Sequence, residues 1–161
     1  MQLVTVCFFG HREIDRFEQV SEWVEKVIDR LFHQYACIDF LIGRDGDFDR
    51  IVSSAIVRAQ RAYGKERGHH ILVLPYLSAE YRDNMAGFET YYDEIEICEK
   101  SAYAYPKGAI MIRNQFMVGR SDVCVFYVER ESGGAWQTLR YAIRKHKTVI
   151  NLAKTEKTET V

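Results

Sequence analysis

Apolar residues alternate along the chain between two rhythms. Leu3 to Phe9 (LVTVCFF) is an almost unbroken apolar run closed by Gly10, the pattern of a strand buried on both faces of a parallel sheet. Phe17, Val20, Val24, Val27, Ile28 and Leu31 then recur at helical spacing, marking an amphipathic helix. Asp39 to Ile42 reads as a short second strand stopped by Gly43. Phe48, Ile51, Val52, Ala55, Ile56, Ala59, Ala62 and Tyr63 mark a second amphipathic helix that ends at Gly64. Ile71 to Leu74 is a third strand, closed by Pro75. Residues 78–106 are tyrosine-rich and predict little beyond a weak strand at Glu94–Ile97. A helix over about 107–118 leads into the cleanest strand, Val123 to Val128 (VCVFYV). After Ser132-Gly133-Gly134 comes a helix with Ala135, Leu139, Ala142 and Ile143 inward, then a last strand from Val149 to Leu152.

Strands alternating with helices imply parallel βαβ units, and crossovers of one hand place helices on both faces of a single sheet. The expected fold class is α/β, Rossmann-like, with a mostly parallel sheet. There is no repeat, linker or break in composition, so one domain is expected over residues 1–153. Residues 154–161 (KTEKTETV) form a polar, low-complexity tail expected to fray.

Composition narrows the function. The 161 residues are 47% hydrophobic and 28% charged, with a net charge of −1. Such a balance argues against a dedicated nucleic-acid partner, which would call for a basic stripe. A small anionic ligand can still be held by a few arginines and a helix end. Cys7, Cys37, Cys98 and Cys124 are scattered, without a CxxC pair or histidines at ligand spacing, so a reducing compartment and no structural metal are expected. No signal pattern opens the chain, and no apolar stretch approaches the roughly 20 residues that cross a bilayer. The expectation is therefore a cytoplasmic protein without a membrane partner or a cofactor, with a homo-oligomer left open.

In an open parallel sheet, ligands bind beyond the carboxyl ends of the strands, which directs attention to four segments. Ser132-Gly133-Gly134 joins the strand Val123–Val128 to a helix. Its glycines let a ligand come close to the backbone, and a helix start accepts phosphate readily; a tight turn with Ser132 near the N-cap fits equally well. Gly10-His11-Arg12 follows the first strand directly, with Arg12 offering a fork for phosphate or carboxylate and His11 a group that titrates near neutrality. Gly43-Arg44-Asp45-Gly46-Asp47-Phe48-Asp49 combines two glycines with three carboxylates. There Asp47 is expected to cap the helix, and Asp49 to complement its dipole or bind a ribose hydroxyl. Arg113-Asn114 lies within a helix, with Arg113 expected at its edge. No GxGxxG is present, so the nicotinamide-enzyme fingerprint is missing.

Taken in order, CFFGHR, GDFD, RNQFMVGRSD and SGGAWQTLRYAIRKHKTVINL resemble the SLOG superfamily, which includes the lonely-guy enzymes and DNA-processing protein A. The match looks nearest to its bacterial YpsA-like branch, which often opens with a strand followed by Thr-Gly-His-Arg; here Phe9 stands in place of the threonine. The resemblance is weakest over 76–106. It implies a Rossmann-like fold with a pocket for a nucleotide or nucleotide-derived ligand, lined by Gly10, His11, Arg12, Gly43 and Asp49. It also implies Arg113 and Asn114 at the place of the lonely-guy Arg-Lys pair, and Gly133 and Gly134 at that of the phosphate loop. The lonely-guy pattern continues to a glutamate that helps cleave the base–ribose bond. Arg140 and Tyr141 stand around that place here, and neither can act as that carboxylate.

The resulting expectation is binding or sensing of a phosphate-bearing nucleotide-type ligand through Gly133, Gly134 and Ser132, with charge from Arg12 and Arg113. Catalytic residues are unassigned. The alternative is an N-glycosidic hydrolase acting on nucleoside monophosphates, with Glu129 or Glu131 as the substitute carboxylate. A DNA-handling module is the third reading, against which the missing basic surplus weighs.

Overall fold

The structure, a computed structural model, describes residues 2–155. Six strands run through it: β1 (Leu3–Gly10), β2 (Cys37–Ile42), β3 (Gly68–Leu74), β4 (Glu94–Ile97), β5 (Val123–Tyr127) and β6 (Thr148–Asn151). Between and after them lie α1 (Phe17–Gln34), α2 (Asp47–Tyr63), α3 (Ala79–Asp83), α4 (Met85–Tyr91), α5 (Pro106–Arg120), α6 (Gly134–Arg144) and α7 (Leu152–Thr155). The strands form one sheet in the order β4-β3-β2-β1-β5-β6, with every pair parallel. This is the α/β, Rossmann-like architecture that the alternation predicts.

The continuous apolar runs are explained by two cores, one on each face of the sheet. On β1, Val4, Val6 and Phe8 pack with α1 and α2, while Cys7 and Phe9 pack with α5 and α6. On β5, Val123, Val125 and Tyr127 face the first core, and Cys124, Phe126 and Val128 the second. Each such buried side chain contributes about 1.5–3 kcal/mol. The central strands therefore hold the fold, and the loops at their ends are left to carry function. The chain steps from β1 out to β4, then returns to the opposite side of β1 with β5. Strand order reverses between β1 and β5, and a crevice opens there beyond the carboxyl ends.

Several local expectations are corrected. The last strand stops at Asn151, not Leu152. The Asn151 side chain accepts from the Val128 N–H (3.0 Å), donates to the Val128 carbonyl (3.1 Å) and also accepts from the Ala153 N–H (3.3 Å), which turns the chain into α7. The tail beyond Thr155 lies outside the described residues. Phe17 (47% exposed) and Ile143 (55%) do not join the core, because each sits at the margin of its helix's apolar stripe. The opaque segment contains two short helices. Ser78 caps α3 by accepting from the Tyr81 N–H at 3.2 Å, and Tyr81, Phe88 and Tyr92 pack in sequence, with successive ring centroids 5.3 and 6.0 Å apart.

Candidate functional site at the strand-order switch

Gly10 at the end of β1 is in register with Tyr127 at the end of β5, so the loops that follow them leave the sheet side by side. A Cβ on Gly10 would fall 2.3 Å from the Phe48 ring, so α2 can lie this close only over glycine. His11 is buried. Its Nε2 accepts from the Glu129 N–H at 2.9 Å and, at longer range, from the Arg130 N–H at 3.4 Å. A backbone N–H can only donate, so the His11 proton sits on Nδ1. Burial and the nearby Arg130 charge hold the imidazole below its ordinary pKa, against the opposing pull of Glu129. Neutral His11 thus braces the β5–α6 loop.

That loop delivers the start of α6. Gly133 has a φ of 89°, in the left-handed region where a side chain is strained. No side chain caps the helix, so Ser132 does not serve as N-cap and is exposed. The first-turn N–H groups of a helix have no partner within it. A Cβ at Gly133 or Gly134 would meet nothing within 4 Å, so the backbone here is open to a ligand. Behind it, the Thr138 hydroxyl donates to the Gly134 carbonyl (2.8 Å) and accepts from Asn114 Nδ2 (3.2 Å), which ties α5 to the helix start. Arg12 and Arg130 flank the opening; both are exposed, and neither forms a salt bridge among the described residues.

The facing wall is the β2–α2 loop. Arg113, expected at a helix edge, is 1% exposed. It donates to the Val73 carbonyl (2.9 Å), to Asn114 Oδ1 (3.1 Å) and to the Asp45 carboxylate. Its charge is thereby neutralised, and its position explains Gly43: a Cβ there would lie 3.0 Å from the guanidinium and from Asp45. Asp47 does not cap α2. It is the first residue of that helix, and its carboxylate instead accepts from the Ile14 N–H (3.0 Å) and from Arg50 (2.9 Å). Asp49 accepts from the Asp45 N–H at 2.8 Å. Desolvation, followed by repulsion from the Asp45 carboxylate, pushes its pKa up to about 7.

These walls enclose a cleft of about 410 Å³, which brings together Gly10, His11, Arg12, Gly43, Asp49, Arg113, Asn114, Ser132, Gly133 and Gly134. Two further charged groups line it that the sequence reading did not assign to a site, Arg130 and Asp45. Arg130 stands two residues before Ser132, flanked in sequence by Glu129 and Glu131, so only its nearness to the glycines could have marked it. Neither Glu129 nor Glu131 lines the cleft. The Glu129 carboxylate is held by the Tyr127 hydroxyl and lies 4.0 Å from Arg16. Arg140 is exposed, with its guanidinium 5.0 Å from the centre of the Trp136 ring. Among the described residues no three or more His, Cys, Asp or Glu side chains are grouped to hold a metal ion, and no helix is long and apolar enough to cross a membrane.

Fold and cleft define a Rossmann-like α/β protein with an open site at its strand-order switch. No family model and no curated protein matches the sequence. Among solved structures, the chain is similar to DNA processing protein A from Helicobacter pylori, described for its single-stranded DNA binding mode (TM-score 0.61, 16% identity, 91% of this chain and 63% of that one). It is also similar to DNA processing protein A from Streptococcus pneumoniae (TM-score 0.65, 17% identity, 91% of this chain and 49% of that one). The chain thus spans less than two thirds of either protein, and what is shared is the fold. The expectation against nucleic acid is not upheld, because a protein of this fold is described as binding single-stranded DNA.

Proposed function

We propose that the cleft binds the phosphate of a nucleotide or nucleotide-derived ligand, with the backbone of Gly133 and Gly134 as the cradle. The observation that carries this reading is the uncapped start of α6, where both glycines face open space. Donors at a helix start favour an anion, and Arg12 and Arg130 add charge. Arg113 and Asn114 support the cradle from below. The ordered motifs, from CFFGHR to SGGAWQTL, favour placing the chain in the SLOG superfamily, on its bacterial YpsA-like branch. Base release has no such support, since neither Glu129 nor Glu131 is among the residues that line the cleft. Thermal melting and calorimetry with AMP, ADP, ADP-ribose and NAD test the proposal. At least one should raise the melting temperature at millimolar concentration; an unmoved melting temperature and no heat across the panel would reject it.

A second reading is favoured by the Helicobacter pylori protein and by two bare rings. Tyr103 is 100% exposed and Tyr105 89%, and exposed aromatics stack on successive bases of a single strand. In that case the phosphate in the cleft belongs to a strand. Fluorescence anisotropy with a labelled oligothymidylate decides between the two. Binding that falls steeply with salt and is lost in Tyr103→Ala favours the strand, and its absence leaves the free nucleotide.

A further inference from the structure

A second cavity, also of about 410 Å³, lies across the β2–α2 loop from the first. Gly43, Asp45, Gly46 and Asp49 line both, so the two cavities adjoin along this loop and the start of α2. The far wall comes from the tyrosine-rich segment. Tyr91 is 42% exposed and stands edge-on to buried Tyr92, with centroids 4.9 Å apart and planes at 87°. The Arg44 guanidinium lies 4.7 Å from the centre of the Phe88 ring. It is fixed there by Glu80 (2.8 and 2.9 Å) and by the Tyr92 hydroxyl (2.9 Å). On the α2 side, Ser54 is exposed, and Ser53 Oγ is 3.0 Å from Nε2 of buried His70.

The chemistry of this chamber selects its occupant. Carboxylates and guanidiniums are interleaved along it, Glu80 and Asp45 with Arg44 and Arg50, so the lining favours neither an anion nor a cation. The charges are already matched within the protein, Arg44 by Glu80, Arg50 by Asp47 and Asp45 by Arg113. What the chamber offers a ligand is therefore the exposed Tyr91 ring, the flat Arg44 guanidinium and the Ser54 hydroxyl. A neutral planar heterocycle that carries hydroxyls fits these groups: its face stacks on the ring and the guanidinium, and its hydroxyls reach Ser54 and Asp49. We propose that this cavity takes the nucleoside part of the ligand, with its base against Tyr91 and Arg44 and its sugar hydroxyls toward Asp49 and Ser54. The assignment rests on the phosphate reading of the first cleft only for which end of the ligand lies where. The β2–α2 loop then sits at the junction of sugar and phosphate, and Asp49 lines both cavities.

Amide chemical shifts of the whole chain test it, with adenosine, guanosine, cytidine and uridine added singly and pyrophosphate added separately. At least one nucleoside should shift Ser53, Ser54 and Tyr91, and pyrophosphate should shift Gly133, Gly134 and Ala135. Silence from all four nucleosides, or shifts confined to the glycines, overturns the nucleoside cavity whatever pyrophosphate does. Silence from pyrophosphate alongside nucleoside shifts rejects the phosphate cradle and leaves the nucleoside cavity standing. Tyr91→Ala should weaken nucleoside binding about 5- to 150-fold, the span of losing one aromatic stack. Ser54→Trp should obstruct the chamber from an exposed helix position. Both should titrate with pyrophosphate like the parent, and if both bind nucleoside as tightly as the parent the proposal fails.

Discussion

The two glycine-bearing loops that wall the cleft are alike in sequence and opposite in physics. In the β2–α2 loop, glycine is required by packing. A Cβ on Gly46 would lie 2.5 Å from the Arg12 backbone, and one on Gly43 would press on Arg113. In the β5–α6 loop nothing fills the space beside Gly133 or Gly134. Glycines of the first kind let the protein approach itself, whereas those of the second leave room for something else to approach. The same division separates the arginines: Arg113 is buried and paired with Asp45, and Arg130 is exposed. One wall is scaffold and the other is the receiving surface.

The sharpest break between the walls should come from the arginines. Removing one partner of a buried ion pair costs about 3–5 kcal/mol, and each kcal/mol is worth roughly 2–4 °C in a chain of this size. Arg113→Ala should therefore lower the melting temperature by about 6–20 °C. Arg130→Ala should leave stability within about 0.5 kcal/mol. It should weaken nucleotide binding roughly 10- to 150-fold, as for a lost charge-assisted hydrogen bond. Melting curves and titrations of the two variants check this, and equal destabilisation would erase the distinction.

A smaller effect is expected at the glycines. Gly46→Ala forces a shift of backbone against backbone and should cost about 1–3 kcal/mol. Gly134→Ala, placed at a helix start in open space, should change stability by less than about 0.5 kcal/mol. Denaturant titration of both variants would expose a reversed order.

The smallest effect is in pH, where the walls have opposite signs. Asp49 has its pKa raised from 3.8 to about 7, so the fold binds a proton that the unfolded chain releases. Its contribution is greatest below about pH 4 and is lost as pH rises toward 7. Asp49→Asn should raise the melting temperature at pH 8 by a few degrees, on the order of 1 kcal/mol, with the gap closing toward pH 4. His11 has its pKa lowered from 6.5. Its contribution is present above pH 6.5 and lost as pH falls below that value, because protonated Nε2 cannot accept from Glu129. His11→Ala should be less stable than the parent at pH 8, with the gap narrowing in acid.

Much of this was legible in the chain, and what was not has identifiable causes. The runs on β1 and β5 announce strands with a core on each side, since period-two alternation places every residue against one core or the other. The helices α3 and α4, of five and seven residues, are too short to show a periodicity, and their aromatics satisfy strand and helix patterns alike. Arg113 could be placed at the cleft but not read as buried. Its partners, Asp45 and the Val73 carbonyl, are brought to it by β2 and β3, and no spacing within α5 encodes them. Glycine composition likewise cannot reveal which loop is packed and which is open, because that depends on what the fold sets beside each Cα.

The most direct test of the phosphate cradle is Gly134→Val, melted with and without the nucleotide that most stabilises the parent protein. The parent at a ligand concentration 100 times its dissociation constant should gain about 2.7 kcal/mol, roughly 5–11 °C. Without ligand, Gly134→Val should melt within about 2 °C of the parent, since no neighbour lies within 4 Å of its Cβ. With ligand it should gain almost nothing. A variant that melts normally and gains as much as the parent would show that the ligand does not rest on Gly134, and the cradle would be wrong.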